Sequence, residues 1–239
     1  MRHELHAEWT KLRTLAGIAW LLLAAVVLTV ALGAGADAAC SSPACDPDPA
    51  KTSLTGIMLG QAVIAVLAVT VVCGEYGTGM IRVSLAAMPR RSSVLAAKAV
   101  VLTGIVLIAG AAAVLGSVLV AAILIRDYDP VLRAAGGSVL YLVFIALLSL
   151  GIAWAVRDAA AAVGIVLGVL YLFPILTTVV TNPDWQRHLK QISPMNAGLA
   201  IQSTGGSLPI GPWAGLGVVA AWAAGAVLLG GIMLQFRDA

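Results

Sequence analysis

The sequence predicts an all-α integral membrane protein with six transmembrane helices, both termini cytoplasmic, and an amphipathic amino-terminal interfacial helix. Three observations carry this. Of 239 residues, 61% are hydrophobic and only 10% charged, with a mean hydropathy of +1.01. A soluble domain keeps about a quarter of its residues charged to clothe its surface. Six uncharged apolar runs are each long enough to cross a hydrocarbon layer of about 30 Å. Ten-residue stretches of alternating polar and apolar residues, the mark of a membrane β-barrel, are absent.

The elements follow in order. Residues 1–14 are an interfacial helix and residues 15–239 a single six-helix transmembrane domain. Leu5, Trp9 and Leu12 recur at helical spacing, with Glu4, Glu8, Lys11 and Arg13 on other sides. Such a helix lies along the bilayer surface with Trp9 at headgroup depth. The first span, 15–36, follows Arg2, Lys11 and Arg13 and imitates a signal peptide. Its apolar core exceeds the usual ~7–15 residues and five more spans follow, so a retained helix is expected.

The second and third spans, 54–73 and 99–125, enclose a cytoplasmic loop over 74–98, and the third is long enough to tilt. The fourth and fifth, 139–156 and 159–180, nearly abut, and Pro174 predicts a kink that frees a carbonyl near Leu170. Residues 181–212 form an external segment cut by Pro183, Pro194, Pro209 and Pro212, with helical pieces over 184–192 and 195–202. Its uncharged second half suits a dip into the outer leaflet if protein shields its backbone. The sixth span is 213–236.

Orientation rests on Lys and Arg near the span ends. With both termini inside, the cytoplasmic side collects Arg2, Lys11, Arg13, Arg82, Arg90, Arg91, Lys98, Arg157 and Arg237, nine of the fourteen basic residues. These residues sit at the ends of apolar runs, so the net charge of +3 speaks for orientation rather than nucleic-acid binding. Cys40 and Cys45 then fall in an external Pro-rich loop, either as a small disulfide ring or as two free thiols. Cys73 reads as a small apolar residue.

Several chemistries lack their residues. There is no phosphate-binding Gly-x-x-x-x-Gly-Lys-Ser/Thr loop, no His-Glu-x-x-His and no Gly-x-Ser-x-Gly, so no catalytic site is expected, and no metal site either. No Asp, Glu, Lys or Arg stands in the middle of a run, which argues against a proton- or sodium-driven carrier. Gln61, Thr177 and Thr178 are the candidates for a translocation path, although hydroxyls in helices mostly bond their own carbonyls and Gln61 equally suits an interhelical bond. Gly56-x-x-x-Gly60 and Gly164-x-x-x-Gly168 permit close helix approach.

The cytoplasmic loop is unusual. It holds Glu75, Arg82, Arg90 and Arg91 around an apolar middle. Gly77 and Gly79 allow sharp turns, residues 80–88 suit a short helix, and Pro89 stops it. Such a helix fits a groove in a partner protein; the alternative is a solvated loop whose arginines only enforce topology.

Glu8-Trp9-Thr10-Lys11-Leu12-Arg13-Thr14, Glu75-Tyr76-Gly77-Thr78-Gly79-Met80-Ile81-Arg82, Met88-Pro89-Arg90-Arg91 and Lys98 resemble the permease subunits of type-2 ABC exporters, in particular small actinobacterial drug or antibiotic exporters. The resemblance implies that Leu5, Trp9, Lys11, Leu12 and Arg13 belong to the family's interfacial connecting helix. It implies that Glu75, Tyr76, Gly77, Thr78, Gly79, Arg82, Arg90 and Arg91 belong to the segment seated on a separate ATP-binding subunit. Glu75 and Arg82 would order that segment from one helical face.

It further implies a second permease chain, identical or related, in a bacterial cytoplasmic membrane, with no cofactor on this chain and ATP and Mg²⁺ on the partner. The cargo expected is a hydrophobic or amphipathic solute. The competing reading is a non-transporting membrane anchor or sensor.

Overall fold

The computed structural model describes residues 2–14, 16–40, 48–80, 91–125, 131–205 and 210–236, with side chains described except at 2–5, 12–13 and 91–92. Among these residues all regular structure is helical, and six helices are long and apolar enough to cross a membrane.

Helix α1 (Arg2–Thr14) leads into the first span, α2 (Ala16–Ala39). A short α3 (Pro49–Ser53), capped by the Asp48 carboxylate, runs on into the second span, α4 (Ile57–Gly77). The third and fourth spans are α5 (Arg91–Leu124) and α6 (Leu132–Val156). The fifth is broken into α7 (Ala159–Leu167), a π turn (Gly168–Leu172) and α8 (Phe173–Val179). Two short helices, α9 (Pro183–Ile192) and α10 (Pro194–Leu199), and a 3₁₀ turn (Ala200–Gln202) precede the sixth span, α11 (Pro212–Phe236).

The helices outrun the apolar runs. α2 continues to Ala39, α4 to Gly77, α5 starts at Arg91 rather than 99, and α6 starts at Leu132 rather than 139. The physical reason is that a charge ends an apolar run but does not end a helix; only lost propensity, Gly, Pro or a cap does that. As a result Asp37, Glu75 and Lys98 lie on spanning helices, and the connection between the second and third spans is shorter than 74–98.

The bundle is built around α4 and α6. About two thirds of their spanning windows are buried, 67% and 61%, against 22% for α2 and 17% for the fifth span. Trp154 and Tyr141 on α6 are the largest fully buried side chains. Gly56 and Gly60 bring α4 against α2: a Cβ at Gly56 would stand 1.9 Å from the Thr29 carbonyl oxygen, and one at Gly60 would stand 2.1 Å from the Thr29 hydroxyl. Gly164 and Gly168 have the same spacing but face open space.

At Pro174 the expected irregularity is the π turn just before it, where the Phe173 N–H reaches back to the Gly168 carbonyl. The widened turn gives the proline ring room in a helix that it would otherwise break.

The two ends of the bundle differ in make-up. Both α1 and the last turn of α11 lie at one end, called basal here. α3, α9 and α10 close the opposite, cap end. The buried Pro194, Met195, Ala197 and Gly198 of α10 rest against α6 and α11, with Gly198 over the Tyr141 ring and Gly215 beside the Ala197 carbonyl. Protein thus shields this uncharged segment.

Candidate functional site

The densest chemistry lies at the basal end, where four charged side chains from three helices meet. Glu8 and Lys11 stand one turn apart on α1, so both point to the same neighbour. Lys98 projects from the second turn of α5, and Glu75 from the last turn of α4. Lys98 Nζ donates to Glu8 Oε2 at 2.8 Å, to Glu75 Oε1 at 3.0 Å and to the Val71 carbonyl at 3.4 Å. Lys11 Nζ donates to Glu8 Oε1 and to Glu75 Oε1, each at 3.0 Å.

Glu8 and Lys98 are fully buried, Glu75 nearly so, and Lys11 partly exposed. Two carboxylates and two ammoniums leave the cluster neutral, which is how ionised groups survive burial.

The stoichiometry is nearly closed. Three acceptors use the three N–H bonds of Lys98, and both oxygens of Glu8 are bonded. Glu75 Oε2 is buried without a hydrogen-bond partner. A carboxylate at a helix C-terminus is opposed by the helix dipole; here the two ammoniums offset that.

Burial pushes the Glu8 carboxyl up, but Lys98, through charge and hydrogen bond, and Lys11 outweigh it and hold the group below the ordinary range. Burial likewise pushes Lys11 down, and its bonds to Glu75 and Glu8 carry it above the ordinary range. Glu8 therefore contributes stability above its unfolded pKa, and that contribution is lost as pH falls through the lowered value. Lys11 contributes below its unfolded pKa and loses this at high alkalinity. Both are charged at neutral pH.

Tyr76, next in sequence to Glu75, fastens α4 to other neighbours. Its ring meets the Trp154 ring edge-on, with centroids 5.8 Å apart and planes at 81°. The Arg157 guanidinium stands 5.4 Å from the same ring centroid and donates to the Met233 carbonyl of α11 at 3.2 Å. Arg157 ends α6 in the left-handed region, φ 65°. Two consecutive residues thus tie the end of α4 to α1, α5, α6 and α11, immediately before the segment 81–90.

Sequence reasoning placed Glu8 on α1 away from the side of Leu5, Trp9 and Leu12, and Lys98 at the end of the loop 74–98. The structure puts both in the cluster: Glu8 and Lys11 turn to the bundle while Trp9 is half exposed, and Lys98 stands on α5. The signal was present: an acid and a lysine at i, i+3 on α1, and a lone lysine entering an otherwise apolar helix. Trp154 and Arg157, as the partners of Tyr76, carried no such signal.

Of the other residues named from sequence, Gln61 is fully buried and accepts a hydrogen bond from the Tyr141 hydroxyl, an interhelical contact. Thr177 is buried and bonds the Pro174 carbonyl at 2.6 Å, while Thr178 faces outward and bonds the Ile175 carbonyl at 2.7 Å. Gly77, Thr78 and Gly79 close α4, with Gly79 at φ 71°. Arg82, Arg90 and Cys45 lie outside the described residues, as do the side chains of Leu5, Leu12, Arg13 and Arg91. Cys40 is disulfide-bonded, and Cys73 is free and buried.

The cap end holds a simpler site. The Asp48 carboxylate accepts from the Thr204 N–H at 2.6 Å, the Thr204 hydroxyl at 2.7 Å and the Lys51 N–H at 3.3 Å. Burial raises Asp48, but the bonds from Thr204, Lys51 and Gly205 hold it below the ordinary range. Arg133 donates to the Ser203 carbonyl at 2.7 Å and Gln202 to the Ser138 hydroxyl at 3.1 Å. Asp37, brought inside by the extra turn of α2, is buried with neither carboxylate oxygen hydrogen-bonded. Among the described residues no three His, Cys, Asp or Glu side chains stand together as a metal site.

A family model for ABC-2 family transporter proteins matches residues 5–180, from within α1 to the end of the fifth span. No curated protein matches the chain. The matched range holds all four members of the ion cluster together with Tyr76, Trp154 and Arg157, and it covers well over half the chain. With six spans and this match, the chain belongs to the ABC-2 family of transporter proteins, as a multi-pass membrane permease component.

Proposed function

We infer that the chain is the membrane subunit of an ATP-driven exporter, seated on a separate ATP-binding subunit through the segment 75–91 and paired with a second permease in a bacterial cytoplasmic membrane. ATP and Mg²⁺ belong to the partner, and this chain carries no ATPase site. The cargo is a hydrophobic or amphipathic solute.

The observation that carries this reading is the fastening of Glu75 and Tyr76. A push on the segment after α4 acts on a helix end bonded to α1 and α5 by charge and to α6 and α11 through Tyr76, Trp154 and Arg157. Force entering at one loop therefore moves the basal ends of several spans together, because packed and ion-paired elements transmit displacement instead of absorbing it. The fifth span and α2, the least buried, offer the surfaces for a second permease.

Reconstitution in liposomes with a phosphate-loop ATPase partner tests this. The expected result is hydrolysis stimulated by an amphipathic solute and ATP-dependent solute movement, with Arg82→Glu lowering the coupled hydrolysis while membrane insertion persists. Partner binding without stimulated hydrolysis or transport would replace it by the anchor reading.

A further inference from the structure

We propose that the polar side of α9 lines a water-filled vestibule sunk into the cap-side half of the bilayer, and that this vestibule receives the anionic group of an amphiphile. Depth comes first. Arg157 bonds the Met233 carbonyl, so the start of the fifth span and the last turn of α11 share a level at the base. From that level the fifth span climbs 21 residues to Val179, about 30 Å, whereas Trp222 of α11 stands only about 16 Å above Met233. Yet the Ile192 carbonyl, at the end of α9, accepts from Trp222 Nε1 at 3.0 Å. α9, with 10 residues and a length of about 15 Å, therefore runs back down from the end of the fifth span.

The chain turns at the fully buried Ser193 and climbs again through α10, whose Ala197 carbonyl abuts Gly215. Trp213, exposed in the first turn of α11, suits the membrane interface, and Trp222 lies about 13 Å below it. The foot of α9 is thus inside the hydrocarbon zone, whose half-thickness is about 15 Å.

The charges of α9 do not belong in hydrocarbon. Asp184, Arg187 and Lys190 recur every third residue along one side of the helix, and Trp185, Leu189 and Ile192 lie along the other. None of its residues is buried by the bundle. Arg187 is exposed and Lys190 half-buried, and among the described residues neither has an ion pair or a hydrogen bond. A guanidinium and an ammonium at this depth require water or a charged partner. The chain supplies no such partner, so the polar side faces water, while Trp185 and Ile192, both more than half exposed, face lipid.

The sign of the charge selects the guest. Asp184, the one acid of α9, lies in its first turn at the shallow end; the two charges below it are cationic and open. An anionic head matches them and a cationic head does not. This narrows the amphipathic cargo to one with an acidic group, and to that extent rests on the exporter reading. The measurement needs neither ATP nor a partner, so its failure removes the vestibule and leaves that reading standing.

The experiment uses the full chain in phosphatidylcholine liposomes, with Cys73→Ala to remove the free, buried thiol. Lys190→Cys, Arg187→Cys and Ile192→Cys are each treated with two membrane-impermeant reagents, anionic sulfonatoethyl and cationic trimethylammonioethyl methanethiosulfonate. Rates are scaled to those at the exposed Thr181→Cys, just before α9. Lys190→Cys and Arg187→Cys should react, and Ile192→Cys should not. At Lys190→Cys the scaled rate of the anionic reagent should exceed that of the cationic one about tenfold, as a unit charge one helical turn away gives in water. Adding Arg187→Gln should abolish that preference. Silence at both Lys190→Cys and Arg187→Cys would put lipid or protein against the polar side. Equal labelling at Ile192→Cys would take α9 out of the bilayer, and equal scaled rates of the two reagents would remove the anion. Each of these results overturns the proposal.

Discussion

The two ends of the bundle are fastened by different means. At the cap, one carboxylate, Asp48, is satisfied by short bonds from Thr204 and by the first turn of its own α3, and Arg133 and Gln202 tie down the neighbouring turn. At the base, four full charges are buried together, and a single residue, Glu75, shares one oxygen between two lysines. The cap is a local clasp of mostly backbone partners. The base is a junction in which each charge depends on the others, since a buried ion that loses its partner costs far more than a lost neutral bond.

The largest effect should therefore follow Lys98→Met, which leaves the carboxylates of Glu8 and Glu75 sharing the single ammonium of Lys11. We expect about 3–5 kcal/mol of destabilisation, read as a drop in melting temperature in detergent, and loss of coupled hydrolysis. Adding Glu8→Gln should recover part of the loss by removing the excess negative charge and leaving Lys11 paired with Glu75. No recovery would show that the four groups are not one coupled unit.

At the cap, Asp48→Ala should cost about 2 kcal/mol and loosen α3 from the turn at Thr204, measured as faster amide exchange at residues 200–205. Coupled hydrolysis should persist. If it falls as far as in Lys98→Met, the functional distinction between the ends is wrong.

Acid should act on the base by a route that the sign of the shift defines. The Glu8 carboxyl titrates below its ordinary 4.5, so its pairing with Lys98 is intact at neutral pH and fails only as pH drops through that lowered value. Trp9 fluorescence and proteolysis of α1 should be constant from neutral pH down to the ordinary carboxylate value of 4.5 and change only below it. A change near pH 6 would place control in a group other than Glu8.

The smallest effect is expected for Arg157→Gly. It gives up the stacking on Tyr76 and the long bond to the Met233 carbonyl, about 1 kcal/mol together, and relieves a left-handed conformation that costs a non-glycine residue about as much. Net stability should change by less than about 1 kcal/mol by circular dichroism melting. Any larger loss would mean that Arg157 supports the base well beyond its contacts with Tyr76 and Met233.

How much could be read in advance differs by region. The cap helices were readable: Pro183 and Pro194 start α9 and α10 as their fixed φ requires. The irregular fifth span was readable from Pro174. Helix ends were not, since Lys98 and Glu75 interrupt an apolar run without interrupting a helix. Gly56 and Gly164 open the same four-residue spacing, yet only the first packs, because spacing permits an approach but a neighbour must be there to use it.

The sequence by itself determined that the chain crosses a membrane and where it can turn, because burying a backbone in hydrocarbon demands long apolar helices and Pro and Gly punctuate them locally. It also held the segments by which the family is recognised. Only the tertiary structure decided that Glu8 and Lys11 of α1 turn inward and that Glu8 finds Lys98 90 positions away. It alone left one oxygen of Glu75 without a partner. Ion pairing depends on distances of a few ångströms between helices far apart in the chain, and packing sets those distances, not composition.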